Sequence, residues 1–291
     1  MSIVGTRKIW YLFSAILVLG SLAAWLGWGL KPGIEFTGGS LVELKFQKAP
    51  TGGELRDLFK ASGVESANVV ISPASISVRA SLITPEIHAK ILTALKEKDA
   101  NFSELRFDAI GPSISAELRQ RAVTAVTLTL ITVFLYVAWA YRKVSGRVRA
   151  WKYGALVVFA GLHDAIIPVG VFAALGHFKG VEIDGAFVAA ILTILGYSIN
   201  DTIIIFDRIR ENMLKLGGEV AVIVEKSVKQ SIMRSINTTA TVLLALLAIY
   251  IFGGSTTQNF ALALFIGIAS GAYSSIFLAS PLIVSWQKKN A

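Results

Sequence analysis

Six apolar runs constrain this chain more than any other feature of its sequence. A helix needs about 20 apolar residues to cross the hydrocarbon core of a bilayer, and most of the runs reach that length. The predicted spans are residues 9–30, 122–141, 153–175, 186–206, 236–252 and 260–286. Hydrophobic residues make up 54% of the 291 residues. The sequence therefore predicts an α-helical polytopic membrane protein with six transmembrane helices.

The basic residues indicate how the spans are oriented. A net charge of +9 is compatible with nucleic-acid binding, but the lysines and arginines concentrate in short loops, as cytoplasmic loops of membrane proteins do. No nucleic acid is therefore expected as a partner. The loop after the second span is the clearest such loop, and it carries Arg142, Lys143, Arg147, Arg149 and Lys152 with no acid. With six spans, this loop predicts that both termini lie inside.

The predicted domains are residues 1–30 with the first helix, residues 31–118 as a polar external domain, and residues 119–291 with helices 2–6. Alternating apolar residues predict strands at 41–46, 67–72, 75–80 and 102–110, with Leu105 and Phe107 on one face of the last strand. Thr51 and Thr84 start two helices between them, Thr51 by a capping box with Glu54. This β-α-β-β-α-β order is the small α+β ferredoxin-like arrangement. No metal cluster, nucleophile dyad or phosphate-binding loop is recognisable, so we expect no enzyme activity, cofactor or metal.

Asp201 lies well inside the fourth apolar run. A carboxylate at that depth costs about 2.5–3.5 kcal/mol on insertion scales, so Asp201 is expected to face other helices or water. Tyr197 and Ser198 share its helix face at i−4 and i−3. A structural aspartate bonded to a neighbouring helix is the alternative to a functional one. Arg234, at the inner edge of the fifth span, could meet Asp201 or extend to the membrane interface.

Asp164 and His163, in the third span, are the other candidates inside the membrane. Adjacent helical residues point about 100° apart, so we expect that the two cannot serve one site equally. His163 could relay protons or be a structural histidine. Gly267 and Gly271 in the sixth span have GxxxG spacing, which indicates either a helix contact face or incidental small-residue packing.

Two motifs resemble a known family. The stretch GYSINDTIIIFDRIREN, residues 196–212, is similar to the signature of SecF, the protein-export membrane subunit of the bacterial Sec system. The stretch GIEFTGG, residues 33–39, is similar to a second element of that family, in which Asp is commoner than the Glu found here. Its glycines indicate a tight turn. The motif positions are Gly33, Glu35, Phe36, Gly38, Gly39, Gly196, Tyr197, Ser198, Asn200, Asp207 and Arg208.

The resemblance implies a place in a larger assembly. SecF works with SecD in the resistance-nodulation-division superfamily, and SecD would supply six further helices. The complex of SecF and SecD would use the proton motive force to help preproteins across the bacterial cytoplasmic (inner) membrane, after SecA and the SecYEG channel begin export. YajC and YidC would be further partners. By the resemblance Asp201 and Arg234 would take part in proton movement, and we add Asp164 and His163 as candidates. A scaffold that moves no protons and a small-molecule exporter are the alternatives.

Overall fold

The computed structural model describes residues 2–47, 49–71, 75–99, 101–142 and 148–287. Within these residues six helices are long and apolar enough to cross a membrane. The chain divides into two compact units, one formed by Met1–Lys31 with Val123–Ala291 and the other by Pro32–Ala122.

Long helices cover most of each predicted apolar span and belong to the first unit, except that α5 begins in the second. They are α1 (Arg7–Trp28), α5 (Pro112–Ala140), α6 (Ala150–Lys179), α7 (Gly185–Lys215), α8 (Val220–Phe252), α9 (Ser255–Ser274), a π-helical turn (Ser275–Ala279) and α10 (Ser280–Ser285). The last three elements form the sixth span. The fourth and fifth spans are predicted to end at residue 206 and to begin at residue 236, but α7 and α8 continue through most of the charged segment between them. Residues 143–147 and 288–291, which include part of the predicted inside charge, lie outside the described residues.

Three spans form the centre of this unit. α6, α7 and α9 each pack against the other two, whereas α1 packs on α6 and α8 packs on α7 and α9. Gly170 allows α6 to pack closely against α1, because a Cβ at that position would lie 2.3 Å from Ser21 Cα of α1. α6, α7 and the sixth span are the most buried, while α1, α5 and α8 expose most of their apolar side chains. The centre is therefore where polar residues must find partners within the chain.

The second unit contains a four-stranded antiparallel sheet with helices between its strands. Its elements are α2 (Ile34–Thr37), β1 (Gly39–Lys45), α3 (Gly52–Ala61), β2 (Ala67–Ile71), β3 (Ile76–Ala80), α4 (Pro85–Lys98) and β4 (Ser103–Ile110). The strand order is β2-β3-β1-β4. The predicted order of strands and helices along the chain agrees with this, and the tip of the predicted hairpin, residues 72–74, lies outside the described residues.

Local sequence accounts for the starts of the two longer helices. Thr51 accepts from the backbone N–H of Glu54, and the Glu54 carboxylate accepts from the N–H of Thr51, which completes the predicted capping box. Thr84 caps α4 with Pro85 at its first position. Val42 and Leu44 of β1 are fully buried in the core, as the alternation of that strand predicts.

One strand face was predicted wrongly. Leu105 and Phe107 of β4 were expected to share a face, but Leu105 is 53% exposed. The pairing of β1 with β4 shifts between Glu43 and Leu44, where Leu105 has no partner. Such a bulge moves the following residues to the opposite face. Glu104 is consequently turned inward, where its carboxylate lies 2.7 Å from His88 Nε2 of α4.

Candidate functional site

Asp164 in α6 is the centre of a buried polar cluster. Its side chain is fully buried. Three serine hydroxyls donate to its carboxylate, from Ser198 of α7 at 2.5 Å and from Ser270 and Ser274 of α9 at 2.7 and 2.6 Å. His163 Nδ1 lies 2.9 Å from Oδ1 of the same carboxylate. A carboxylate has about four acceptor positions, so Asp164 is saturated and joins three helices.

The GxxxG glycines bring α9 close enough for this cluster to form. A Cβ on Gly267 would lie 2.3 Å from Cδ1 of Ile194, and one on Gly271 would lie 3.1 Å from Cβ of Ser198 and 3.6 Å from Asp164 Oδ2. Both glycines therefore face α7 at a close helix crossing. Of the two interpretations of the GxxxG spacing, a contact face describes these glycines.

His163 and Asp164 share one site, and the expectation that adjacent residues diverge was wrong for this pair. Nδ1 of the imidazole lies within hydrogen-bond distance of the carboxylate of the next residue. The side chain is buried, and within the described chain its Nε2 has no hydrogen-bond partner. His163 also lines an apolar cleft of about 550 Å³ with residues of α1, α6 and the sixth span, among them Ser14 and Leu278. Whether it relays protons stays a prediction.

Asp201 lies three residues after Ser198 on α7 and is 5% exposed. Ser235 Oγ of α8 lies 2.6 Å from each oxygen of its carboxylate. Ser198, which is also buried on α7, hydrogen-bonds Asp164. The two buried acids are thus served by separate sets of hydroxyls on neighbouring helix turns.

Arg234 occupies a different face of α8 from the one that contacts Asp201. Its side chain is exposed, whereas the next residue, Ser235, is buried. Among the described residues the ion pairs within 4.0 Å include none between Arg234 and Asp201. Consecutive helical residues point about 100° apart, so contact through Ser235 directs Arg234 elsewhere. Its role in proton movement stays a prediction.

The remaining residues of the GYSIND stretch divide between surface and helix end. Gly196 and Asn200 are exposed on α7, and a Cβ on Gly196 would meet no atom within 4 Å. Asp207 pairs with Arg210 at 2.9 Å, and Arg208 pairs with Glu211 at 2.8 Å, all on partly or largely exposed side chains. These pairs fit a solvated helix end, as the sequence indicates.

The glycine-rich motif forms one helical turn followed by a sharp entry into β1. Gly38 and Gly39 have φ values of +76° and +111°, a region that L-residues with a side chain rarely adopt. A Cβ on Gly39 would also lie 2.6 Å from the carbonyl oxygen of Ala80. The Phe36 carbonyl accepts from Arg119 Nη2 at 3.3 Å. Instead of the tight turn expected over residues 33–39, α2 occupies the middle of the motif, and the two glycines are needed where it ends.

Sequence reasoning missed the hydroxyls that hold the two acids. These residues are Ser235, Ser270 and Ser274. Serines at i and i+4 in an apolar span, such as Ser270 and Ser274, share a helix face, and that spacing was the available signal. In the part of the chain that is described, no group of three or more His, Cys, Asp or Glu side chains could hold a metal ion.

Comparison with known families shows which family the chain belongs to. The family described as protein export membrane protein SecD/SecF, C-terminal, matches residues 90–289, and the SecD/SecF GG motif matches residues 26–50. The chain belongs to the SecF family of protein translocase subunits. It is accordingly a multi-pass membrane protein of the Sec pathway, as the two sequence motifs indicate.

Individual relatives agree over the full length. The protein translocase subunit SecF of Thermobaculum terrenum is 40% identical over 304 residues, which cover 100% of this chain and 95% of the relative. SecF of Pseudomonas aeruginosa is 34% identical over 98% of this chain and 90% of its own length. The crystal structure of SecDF, a translocon-associated membrane protein from Thermus thermophilus, superposes with a TM-score of 0.85 at 31% identity. The match covers 98% of this chain but 38% of that structure.

Proposed function

We propose that this SecF-family chain couples the proton motive force to the late steps of preprotein export, with Asp201 as the group that gains and loses the proton. The observation that carries the proposal is the surroundings of Asp201. It is a buried acid within a membrane-spanning helix, and its carboxylate hydrogen-bonds the hydroxyl of Ser235. Hydroxyls can donate to a carboxylate or accept from a carboxylic acid, so this site accommodates both protonation states.

The energy available is adequate for such a role. A proton crossing 100 mV releases about 2.3 kcal/mol, which changes an equilibrium constant nearly fiftyfold. Movement of the helices around Asp201 would then be transmitted to the polar unit. We propose that this unit is a ferredoxin-like domain outside the membrane and that both termini lie inside.

The partners belong to the proposal as well. The SecDF structure is more than twice as long as the part that this chain matches, and SecD would supply the missing helices. The apolar side chains exposed on α1, α5 and α8 offer surfaces for SecD and for lipid. SecYEG, SecA and the preprotein would be the functional partners, with YajC and YidC as accessory ones, in the bacterial inner membrane. No catalytic activity is proposed.

The exporter alternative finds little support in the polar unit. A cleft of about 590 Å³ is present there, but charged side chains such as Arg56, Asp57, Lys60 and Arg79 line it. Pockets for drug-sized molecules are usually apolar with a few polar groups. The scaffold alternative remains the stronger competitor because buried acids can be purely structural.

Asp201→Asn tests the proposal. The amide keeps the size and hydrogen bonding of the acid but cannot exchange a proton. We expect the variant to assemble with SecD and to lose the stimulation of preprotein release by a proton gradient in inverted vesicles. Thr193→Ala, which removes a hydroxyl bonded to the backbone of Ala189 on the same helix, is the matched control. Full stimulation in Asp201→Asn would refute proton coupling through this residue and favour the scaffold.

A further inference from the structure

A cleft of about 680 Å³ lies between the N-terminal segment, residues 2–7, and the beginning of α8. Its volume falls in the range of about 300–1,000 Å³ that is usual for ligand sites. The charged side chains that line it are three cations and one anion, Arg7, Lys226, Lys229 and Glu225. Val222, which is 65% exposed, contributes apolar surface from α8. The cleft thus combines an excess of positive charge with an apolar wall.

Glu225 holds the N-terminal segment against α8. Its carboxylate accepts from the backbone N–H groups of Ile3 and Val4 at 3.2 and 2.9 Å and from the Ser2 hydroxyl at 3.2 Å. Val4 is 4% exposed and packs in the core of the first unit. Lys229 Nζ lies 3.2 Å from Glu225 Oε1. The negative charge of Glu225 is therefore used within the fold, and the bonds that it accepts fix the shape of the cleft.

The other two cations of the cleft lack a carboxylate partner. Arg7 Nη1 donates to the Val4 carbonyl at 3.1 Å, and over the described ranges the ion pairs within 4.0 Å include neither Arg7 nor Lys226. Arg7 also begins α1, and Val222 lies in the first turn of α8. Helix N-termini carry partial positive charge, which favours an anion and disfavours a cation. An anion in the cleft would stabilise both helix ends and both cations.

The depth of the cleft in the membrane selects the class of anion. The apolar run of α1 begins two residues after Arg7, so the Cα of Arg7 lies about 3 Å outside the hydrocarbon. The headgroup layer extends about 5–8 Å beyond the hydrocarbon on each face of a bilayer. Because Glu225 bonds Val4, the neighbouring Lys226 is held near the depth of that segment, and its long side chain can extend to the headgroups. The next turns of α1 expose apolar side chains that acyl chains can contact, at Ile9, Leu12 and Ile16.

We propose that this cleft binds the phosphate headgroup of an anionic phospholipid, with Arg7 and Lys226 as the phosphate ligands. The guanidinium of Arg7 offers parallel N–H donors to two phosphate oxygens, and Lys226 adds a mobile point charge. Basic pockets beside membrane-spanning helices bind lipid headgroups in this way. The inference goes beyond the proposed function and does not rest on it, because headgroup binding needs no proton movement.

Native mass spectrometry of the full-length chain measures the first lipid that binds. The chain is titrated in detergent micelles with dioleoyl phosphatidylglycerol, which is anionic, or with dioleoyl phosphatidylcholine, which is zwitterionic. We expect the anionic lipid to bind about tenfold more tightly, and Arg7→Gln and Lys226→Gln each to weaken its binding about fivefold, which corresponds to about 1 kcal/mol per basic residue. Lys8→Gln is the matched control, because Lys8 is the exposed neighbour of Arg7 and lies outside the lining of the cleft. Its affinity should be unchanged.

Glu225→Gln separates a built site from general attraction by charge. The substitution makes the chain more positive, but an amide has one acceptor oxygen and cannot hold Ser2, Ile3 and Val4 as the carboxylate does. We expect weaker binding of phosphatidylglycerol. Tighter or unchanged binding in Glu225→Gln, equal losses in Lys8→Gln and Arg7→Gln, or equal affinity for the two lipids would overturn the inference. Displacement of the lipid by an equal concentration of inorganic phosphate would identify a free-phosphate site and overturn the lipid assignment.

Discussion

Ser235 Oγ lies 2.6 Å from both carboxylate oxygens of Asp201, and Ser235 is the immediate chain neighbour of Arg234. The residue that contacts the acid from α8 is thus a neutral hydroxyl, while the cation beside it is exposed. A hydroxyl can hold the acid in either protonation state, whereas a guanidinium in contact would favour only the ionised one. This arrangement suits a group that must exchange protons repeatedly.

The first prediction separates these two neighbours. Hydrogen bonds to charged groups contribute about 1.5–3 kcal/mol, so Ser235→Ala should lower gradient-stimulated release tenfold or more. Ser231→Ala, which removes a buried hydroxyl one turn earlier on α8, should leave it unchanged.

If Arg234 also belongs to the proton path, Arg234→Ala should lose stimulation, and its combination with Asp201→Asn should be no worse than either single variant. Additive losses in the double variant would contradict a shared path.

The apolar spans and the strand periodicity could be predicted from sequence because hydrophobic patterning dictates them locally. The GxxxG spacing of Gly267 and Gly271 indicated a possible helix contact face, but the sequence did not identify α7 as the helix that packs there. The face presented by Leu105 could not be predicted, since a bulge depends on how two distant strands pair. Local rules carry no information about such pairing.

The site was predicted only in part for the same reason. Asp201 and Asp164 stand out because charge in an apolar run is costly. The choice between Arg234 and Ser235 depends on the rotation of α8 about its axis, which packing against α7 and α9 determines. A rotation of α8 by one residue exchanges the charged Arg234 for the neutral Ser235 as the partner of Asp201. The sequence of α8 alone does not determine that rotation.

The second prediction compares the two buried acids. An amide has one acceptor oxygen, so Asp164→Asn leaves some of the donors Ser198, Ser270, Ser274 and His163 without an acceptor. Each such loss costs about 1–3 kcal/mol. Asp201→Asn can still accept from Ser235 and should cost less. Denaturation midpoints in mixed micelles measure both, and equal destabilisation by the two substitutions would contradict the structural role of Asp164.

The third prediction concerns the close crossing of α7 and α9. A methyl group on Gly267 would overlap Ile194, and overpacking of this kind typically costs 1–3 kcal/mol. Gly196→Ala is the matched control, because no atom lies within 4 Å of its Cβ position. Alanine there should stabilise α7 by up to about 1 kcal/mol. The same micelle denaturation assay should therefore shift in opposite directions for Gly267→Ala and Gly196→Ala.

The fourth prediction tests topology in a chain without cysteine. Ala61 in the polar unit and Leu214 near the end of α7 are both exposed. With inside termini, a membrane-impermeant thiol reagent should label Ala61→Cys from outside the cell. Leu214→Cys should react only in inverted vesicles. Labelling of both positions from one side would contradict the six-span topology.

The last prediction is a pH dependence within the polar unit. The backbone N–H of Thr51, followed by its hydroxyl, donates to the Glu54 carboxylate and holds the pKa of Glu54 below its usual value of 4.5. A pKa that is lower in the folded state stabilises the fold above the unfolded pKa, and this contribution is lost as pH falls through the folded pKa. Hydrogen-exchange protection of the first turn of α3 should therefore decrease as the pH is lowered below 4.5.

Glu54→Gln supplies the control for this measurement. Glutamine can complete the same capping box but does not titrate, so protection of that turn should become independent of pH. Amides at Ile91 and Leu95, buried in α4, report any general unfolding of the unit over the same range. A loss of protection in acid that is equally large in Glu54→Gln, or that appears simultaneously at Ile91 and Leu95, would show that the capping box is not its cause.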